Sequence, residues 1–406
     1  MQDTPRGNRL HIAIFGRRNA GKSSLINALT NQEVAVVSDV PGTTTDPVYK
    51  SMEILPLGPV VIIDTAGIDD TGPLGKLRVE QSYKVFRKSD LVLLVIDAGE
   101  GISSFDRELV NRAREGNIPV IGVLNKVDVH PLSEDKKNSY AQELGIPVVA
   151  VSARTRQGIG DLKIQMIRSS PPAWEEQTIV GDLLQPGDLV VLVVPIDLAA
   201  PKGRLILPQV QTIRDILDHD AIALVTKERE LRQTIATLNR KPRMVITDSQ
   251  AFLKADADTP PDVDLTSFSI LFARYKGDLE TLVAGAAAID KLKPGDRVLI
   301  AEACTHHRVE DDIGTVKIPR WLRQVVGGEL RFTWASGGSF PEDLGQYSLV
   351  VHCGGCMINR REMLARIARV REAGVPIVNY GVAIAYLHGI LRRALSPFPW
   401  LQSLIS

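Results

Sequence analysis

Gly16-Arg17-Arg18-Asn19-Ala20-Gly21-Lys22-Ser23 is the stretch that decides the fold. It fits the pattern G-x-x-x-x-G-K-[ST], with a β-branched run over residues 11–15 before it and a helical pattern after it, the context this motif requires. Glycine lets the backbone curl so that successive N–H groups cradle phosphates, and the helix start adds a favourable dipole. Asn19, Ala20, Gly21, Lys22, Ser23 and Ser24 are therefore the expected phosphate-side residues. Lys22 is placed to reach the β- and γ-phosphates, and the Ser23 hydroxyl to ligate Mg²⁺.

Working outward, Asp64-Thr65-Ala66-Gly67 closes a strand candidate at residues 60–64. There Asp64 meets Mg²⁺ through water, and the Gly67 N–H meets the γ-phosphate. Asn125-Lys126-Val127-Asp128 closes another strand, and Ser152-Ala153 follows the next. Asp128 can accept from guanine N1–H and N2–H₂ together, a donor pair adenine lacks. A backbone N–H at Ser152-Ala153 can meet guanine O6. Four elements in this order predict GTP, with ATP the weaker fit. Between them, Pro41-Gly42-Thr43-Thr44-Thr45-Asp46 reads as a switch whose threonine completes Mg²⁺ coordination when the γ-phosphate is present. Thr44 is the first choice and Thr43 the second. Lys22, Thr44, Asp64 and Gly67 form the expected catalytic set.

The 406 residues suffice for two or three domains with cores of their own. Lys plus Arg equals Asp plus Glu, 48 against 48, without the basic surplus usual in a nucleic-acid binder. No apolar run approaches the roughly 20 residues that span a bilayer, and the first nine residues lack an apolar signal core. The expectation is a cytoplasmic protein with no nucleic-acid and no membrane partner.

Short apolar runs alternating with helical patterns predict an α/β chain of three domains with mostly parallel sheet. Strand candidates at 11–15, 60–64, 91–97, 120–125 and 148–152 build a P-loop domain over residues 1–170, which ends at the breaker Ser169-Ser170-Pro171-Pro172. Candidates at 189–195, 221–225 and 244–247 build a middle domain over 176–262, whose apolar strands suggest docking or dimerisation. Candidates at 298–303, 349–352 and 376–379 build a C-terminal domain over 263–406. Exposed basic residues such as Arg17 and Arg18 read as solvated.

The order and wording of the nucleotide motifs resemble the Era-like branch of translation-factor-type GTPases. Ile68 follows Asp-Thr-Ala-Gly where Ras-like members carry a water-orienting Gln. Asn19 occupies the position that, in potassium-activated members, helps hold K⁺ near the phosphates. The resemblance implies a slow GTPase stimulated by K⁺, the cation standing in for an arginine finger.

A second constellation lies far along the chain: Cys304-Thr305-His306, then His352-Cys353-Gly354-Gly355-Cys356. Each piece follows a predicted strand, where ligands collect in open parallel sheets. The glycines of the Cys-x-x-Cys turn let both thiolates aim at one centre. Zinc would accept Cys₃His tetrahedrally. A [4Fe–4S] cluster wants four thiolates, and three would leave one iron with an exchangeable position. Buried structural cysteines, or a redox pair, are the remaining readings.

A GTPase domain joined to this cysteine–histidine module resembles the GTPase maturases of [FeFe]-hydrogenases, the HydF family. Glu302-Ala303-Cys304-Thr305-His306-His307 and Glu310-Asp311-Asp312-Ile313-Gly314 carry the resemblance further. It implies a [4Fe–4S] cluster on Cys304, Cys353 and Cys356, with the fourth ligand open among His306, His352, Glu310 and solvent. It also implies a homodimer that receives a transient diiron subcluster precursor from two radical-SAM maturases. Apo [FeFe]-hydrogenase takes that unit, and GTP acts on partner exchange. The rival readings are an RNA-associated GTPase of tRNA modification or ribosome assembly, and a GTPase that senses zinc or iron–sulfur status.

Overall fold

The computed structural model describes residues 5–30, 48–55, 57–65, 85–171, 178–195, 205–303, 312–337 and 339–405. It divides into two compact units, Met1–Glu176 and Gln177–Ser406.

The first unit is built on a six-stranded sheet. Its strands are β1 Leu10–Phe15, β2 Val48–Ile54, β3 Gly58–Asp64, β4 Leu91–Asp97, β5 Val120–Asn125 and β6 Val148–Ala150, in spatial order β2-β3-β1-β4-β5-β6. All pairs are parallel except β2 with β3. The inner strands are unbroken apolar runs because both of their faces are covered. On β1, Ile12 and Ile14 enter one core with Leu25 and Leu93, while Ala13 and Phe15 enter the opposite one with Leu94 and Leu109. Phe15 stacks on Phe86 at 4.6 Å between ring centroids. Burying each such side chain stabilises the fold by about 1.5–3 kcal/mol. Strand β2 went unread in the sequence for the complementary reason. It is an edge strand whose mixed residues leave Val48 and Tyr49 exposed.

Helices α1 Lys22–Thr30, α2 Ser104–Glu115 and α3 Glu134–Leu144 lie between its strands, and α4 Ile159–Ser169 follows the last of them. Their ends are set locally. Ser103 and Asp106 make a reciprocal capping box at the start of α2. Gly145 ends α3 in a left-handed conformation at φ 64°.

The second unit holds two four-stranded parallel sheets. One comprises β7 Leu189–Val193, β8 Ile222–Thr226, β9 Met244–Thr247 and β10 Asp264–Ser267, in order β10-β9-β7-β8. The other comprises β11 Arg297–Glu302, β12 Arg331–Ser336, β13 Leu349–His352 and β14 Ile377–Asn379, in order β12-β11-β13-β14. Both sheets have the same topology: the first strand is central, the second lies on one side, and the third and fourth lie on the other. Edge strands β10 and β12 were not read from the sequence, and β10 falls beyond residue 262, where the middle domain was expected to end.

Nine helices serve these two sheets among the described residues. They are α5 Leu207–Asp218, α6 Leu231–Ala236, α7 Phe252–Asp258, α8 Phe268–Lys276, α9 Leu279–Ala284, α10 Ile318–Val326, α11 Arg360–Glu372, α12 Tyr380–Leu387 and α13 Leu391–Ala394. Helix α8 joins the two sheets. Phe268, Ile270, Leu271, Phe272 and Ala273 are buried around most of its circumference, as a helix enclosed by protein must be. It packs on α5 from one sheet and on α11 and α12 from the other. One apolar core therefore runs from Val190 and Ile246 through Phe272 to Ile300, Val351 and Ile384. Among the described residues, no helix is long and apolar enough to cross a membrane.

Candidate functional site

Because β1, β3, β4, β5 and β6 run parallel, the residues that follow them emerge at one edge of the sheet. The P-loop, Asp64, Asn125–Asp128 and Ser152-Ala153 all leave from there. Lys22 Nζ donates to the carbonyls of Gly16 and Arg17 at 2.7 and 2.9 Å, so the loop wraps its own lysine. Gly16 has φ 153°, and a Cβ there would stand 2.3 Å from the Val95 carbonyl oxygen. Asn19 is left-handed at φ 61°, which Asn tolerates better than most residues.

Asn125 ties the site together. Its Nδ2 donates to Ala20 O at 2.9 Å, and its Oδ1 accepts from the Ala153 N–H at 3.0 Å. One buried amide thus fixes the P-loop against the Ser152-Ala153 loop. Gly21 makes room for it, since a Cβ at that position would meet Asn125 Nδ2 at 2.2 Å. Lys126 Nζ pairs with Asp97 Oδ2 at 2.7 Å, which steadies the strand end beside it. Asp128 pairs with Arg154 Nη2 at 2.5 Å. The Ser152 hydroxyl first, and then Arg154, hold the Asp128 carboxyl below the usual range. Asp64 moves the other way. Burial raises its carboxyl, with Lys22 and Lys50 opposing, as suits an acid awaiting a cation.

Lys22, Ser23, Ser24, Asn125, Lys126, Asp128, Ser152 and Ala153 thus stand at the edge where the sequence put them. Thr43, Thr44 and Gly67 lie outside the described residues. Asp97 and Arg154 were not singled out, because an acid ending a strand and a basic residue after Ser-Ala carry no signature alone. Arg17, read as solvated, pairs with Glu100 at 3.1 Å and donates to Gly101 O at 2.9 Å.

In the second unit, β11 and β13 are neighbours, with Ala301 opposite His352. The chain leaves β11 toward β12 on one side and returns to β13 on the other. The gap between their carboxyl ends is therefore the topological switch point, where open α/β sheets bind ligands. Cys353 and Cys356 stand there on a turn in which Gly355 takes φ 66°. The N–H of Ala303, the residue that precedes Cys304 in the chain, donates to Cys353 Sγ at 3.1 Å. Cys304, His306 and Glu310 lie outside the described residues. No group of three or more His, Cys, Asp or Glu side chains fit to hold a metal occurs among the described ones.

Two buried polar groups support this end of the sheet. Glu302 accepts from Tyr380 OH at 3.1 Å, and Gly314 passes so close that a Cβ would stand 2.3 Å from that hydroxyl oxygen. Burial and the neighbouring Glu302 and Cys353 push the Tyr380 phenol well above its ordinary value. His352 is fully buried and its pKa falls to about 3, through burial and the nearby Arg366. Its Nδ1 lies 2.8 Å from Cys353 O and its Nε2 3.2 Å from Arg366 Nη1. Both ring nitrogens are engaged within the protein.

Comparison with known proteins gives three family matches. Residues 11–126 match the 50S ribosome-binding GTPase family. Residues 179–277 match the hydrogen maturase F dimerization domain, and residues 280–397 the hydrogen maturase F tetramerization domain. The second unit is thus made of oligomerization domains, and the region expected as a cluster-binding domain matches one named for tetramerization.

Among curated proteins, the chain is similar to the tRNA modification GTPase MnmE of Chromobacterium violaceum. Identity is 36% over 159 residues, covering 39% of this chain and 34% of that one. For MnmE of Moorella thermoacetica it is 41% over 165 residues, covering 39% and 35%. The chain spans about a third of the length of these relatives.

Among solved structures it is similar to an Aquifex aeolicus Era variant bound to GDP.AlF4⁻. Identity there is 20%, with TM-score 0.37 and coverage of 62% of this chain and 99% of that one. It is also similar to NFeoB from S. thermophilus bound to GDP.AlF4⁻ and K⁺, at 27% identity, TM-score 0.33 and coverage of 40% and 62%. The two maturase domains follow one another through nearly all of the second unit, behind a GTP-hydrolysing domain. This chain accordingly belongs to the hydrogen maturase F (HydF) family, with an Era/TrmE-like GTPase domain.

Proposed function

We propose that this GTPase is a scaffold and carrier. It holds a [4Fe–4S] cluster on Cys304, Cys353 and Cys356, together with the diiron subcluster precursor, and delivers that unit to apo [FeFe]-hydrogenase. Two radical-SAM maturases and the hydrogenase are its partners, and the working form is a homodimer. One observation carries the reading: two cysteines of a Cys-x-x-Cys turn sit at a switch point whose other lip is the residue before the third cysteine. The donor set fits the cluster. Thiolates are its ordinary ligands, and the Ala303 N–H on Cys353 Sγ is the kind of hydrogen bond that tunes such sulfurs. Bound there, the cluster supplies an iron with an exchangeable position, suited to cargo that must later leave. His352 is the poorest of the proposed fourth ligands, since both its nitrogens are engaged. His306, Glu310 and solvent remain.

At the other site, Lys22 neutralises charge on the β- and γ-phosphates, while Ser23, Thr44 (or Thr43) and Asp64 serve Mg²⁺. The Gly67 N–H reads the γ-phosphate. Asn125, Lys126, Asp128, Ser152 and Ala153 hold the base. Asn19 holds K⁺, which takes over the charge stabilisation an arginine finger supplies elsewhere. Turnover is slow, and its output is the ordering and release of switch segments that change partner affinity.

The test is anaerobic reconstitution with iron and sulfide analysis and EPR. About four irons per chain and a reduced-cluster signal, both lost in Cys353→Ser, are expected. Zinc alone, or no metal, removes the carrier reading. If Lys22→Ala releases its partners like the wild type, the timing role of GTP falls while the cluster role stands.

A further inference from the structure

Cys353 and Cys356 follow the end of β13, and a buried polar network lies behind them. Arg366, on α11, is buried to 4% exposure. Its Nη2 donates to Gly337 O at 2.7 Å and to Glu362 Oε1, one turn back on the helix, at 2.8 Å. Its guanidinium lies over the Phe340 ring, 5.2 Å from the centroid. Its Nη1 meets His352 Nε2 at 3.2 Å.

An arginine has donors only, so His352 Nε2 must accept. The ring proton is thereby assigned to Nδ1, which donates to Cys353 O at 2.8 Å. The carbonyl it holds belongs to the residue whose Sγ takes the Ala303 N–H and whose own N–H donates to Ala301 O at 2.9 Å. Cys353 is therefore fixed at its amide, its carbonyl and its sulfur. The carbonyl restraint traces back through His352 to Arg366 and Glu362.

We propose that Arg366 is a positioning residue for the cysteine centre. It sets the tautomer and orientation of His352, which acts as a strut on Cys353. The proposal rests on the cluster reading above and assigns a role to a residue on the helix that follows the Cys-x-x-Cys turn. Carboxylate–histidine pairs behind metal sites work in a related way, and losing such a partner commonly weakens metal retention. Here the supporting pair is a guanidinium and an imidazole, because the ring must accept at Nε2 in order to donate at Nδ1. Lysine offers one point charge in place of the fork, so it can serve His352 but not Gly337 and Glu362 together.

The experiment compares the reconstituted wild type with Arg366→Met, Arg366→Lys and Glu362→Gln in the full chain. Four quantities are measured: iron and sulfide content, EPR g-values of the reduced cluster, the rate of iron loss to a chelator, and GTPase rate. Arg366→Met is expected to hydrolyse GTP as the wild type does, to show shifted g-values, and to lose iron about 10- to 100-fold faster. Arg366→Lys is expected to recover part of both effects, and Glu362→Gln to show a smaller acceleration. Should Arg366→Met fail to fold, the other two variants decide. Wild-type g-values and chelation rates in the folded variants, with a wild type that holds its cluster, overturn the positioning role. A wild type that takes up no iron overturns the cluster reading itself, a result that no property of Arg366 can produce.

Discussion

Asn125 Nδ2 stands 2.9 Å from the Ala20 carbonyl oxygen, 105 residues away in sequence. The same amide takes the Ala153 N–H through its oxygen. Asn125 is thus a brace between the P-loop and the Ser152-Ala153 loop. Removing it leaves the buried Ala20 carbonyl and the part-buried Ala153 N–H without these bonds, a loss of about 2 kcal/mol to the ordered site. Asn125→Ala should therefore weaken both GDP and GTP by similar factors in a fluorescent-nucleotide titration. Gly21→Ala should weaken binding at least as much, because its Cβ would fall 2.2 Å from the brace at φ 91°. A selective loss of GTP over GDP in Asn125→Ala would contradict the brace.

Asp128 should decide which base is held. In the proposed role its carboxylate would accept from two donors on guanine, whereas an amide there can accept from only one. Asp128→Asn should lower GTP affinity about a hundredfold, because a base donor is left facing a donor. The same change should raise affinity for a xanthine nucleotide, whose carbonyl at C2 accepts from the new amide. The wild-type carboxyl sits below its ordinary value, held by Ser152 and Arg154. A depressed pKa keeps the charged form as acid is added, so guanine binding should stay level between about pH 7 and pH 5. Unchanged base preference in Asp128→Asn would remove the assigned role.

The sheet edge that gathers Asp64, Asn125 and Ser152 was legible because each of their motifs closes or follows a strand of a mostly parallel sheet. The central strands were legible for an equally simple reason: burial on both faces demands unbroken apolar runs. The three strands that were not read, β2, β10 and β12, are all sheet edges. On β2 and β12, Val48, Tyr49 and Trp334 point to solvent and the pattern dissolves; β10 is buried at Leu265–Ser267, but it is only four residues long and three of them are polar. The union of both sheets of the second unit around α8 was hidden as well. A largely apolar stretch such as Phe268–Ala273 says that its helix is enclosed, but not by what. The support behind Cys353 was invisible for a related reason, since Arg366 looks like any arginine in the helical run Arg360–Glu372.

Asn19 carries the potassium expectation. If its side chain and the phosphates hold K⁺ where charge develops, turnover should rise severalfold or more when K⁺ replaces Na⁺ at constant ionic strength. Asn19→Ala should keep most nucleotide affinity and lose the difference between the two salts. Phosphate release assays in paired buffers provide the measurement. Equal wild-type rates in K⁺ and Na⁺ would eliminate the cation from the mechanism, and a retained difference in Asn19→Ala would move it to other ligands.

Asp215 supplies a stability test away from both sites. Its Oδ2 accepts from the consecutive N–H groups of Ile179, Val180 and Gly181 at 3.0, 2.8 and 2.8 Å. It thereby pins the entry of the second unit onto α5. Ile179 and Val180 are themselves core residues, so those N–H groups have little access to water once the segment is docked. Gly181 is needed for the approach, because a Cβ there would stand 2.1 Å from His219 Nδ1. Asp215→Ala leaves three donors without this acceptor and should cost about 3 kcal/mol or more. Asp215→Asn retains one oxygen acceptor without its charge and should cost roughly half of that. Denaturant unfolding followed by a probe in the second unit gives both values. If Asp215→Ala unfolds at the wild-type midpoint, apolar contacts of Ile179 and Val180 hold the segment, and the carboxylate is incidental.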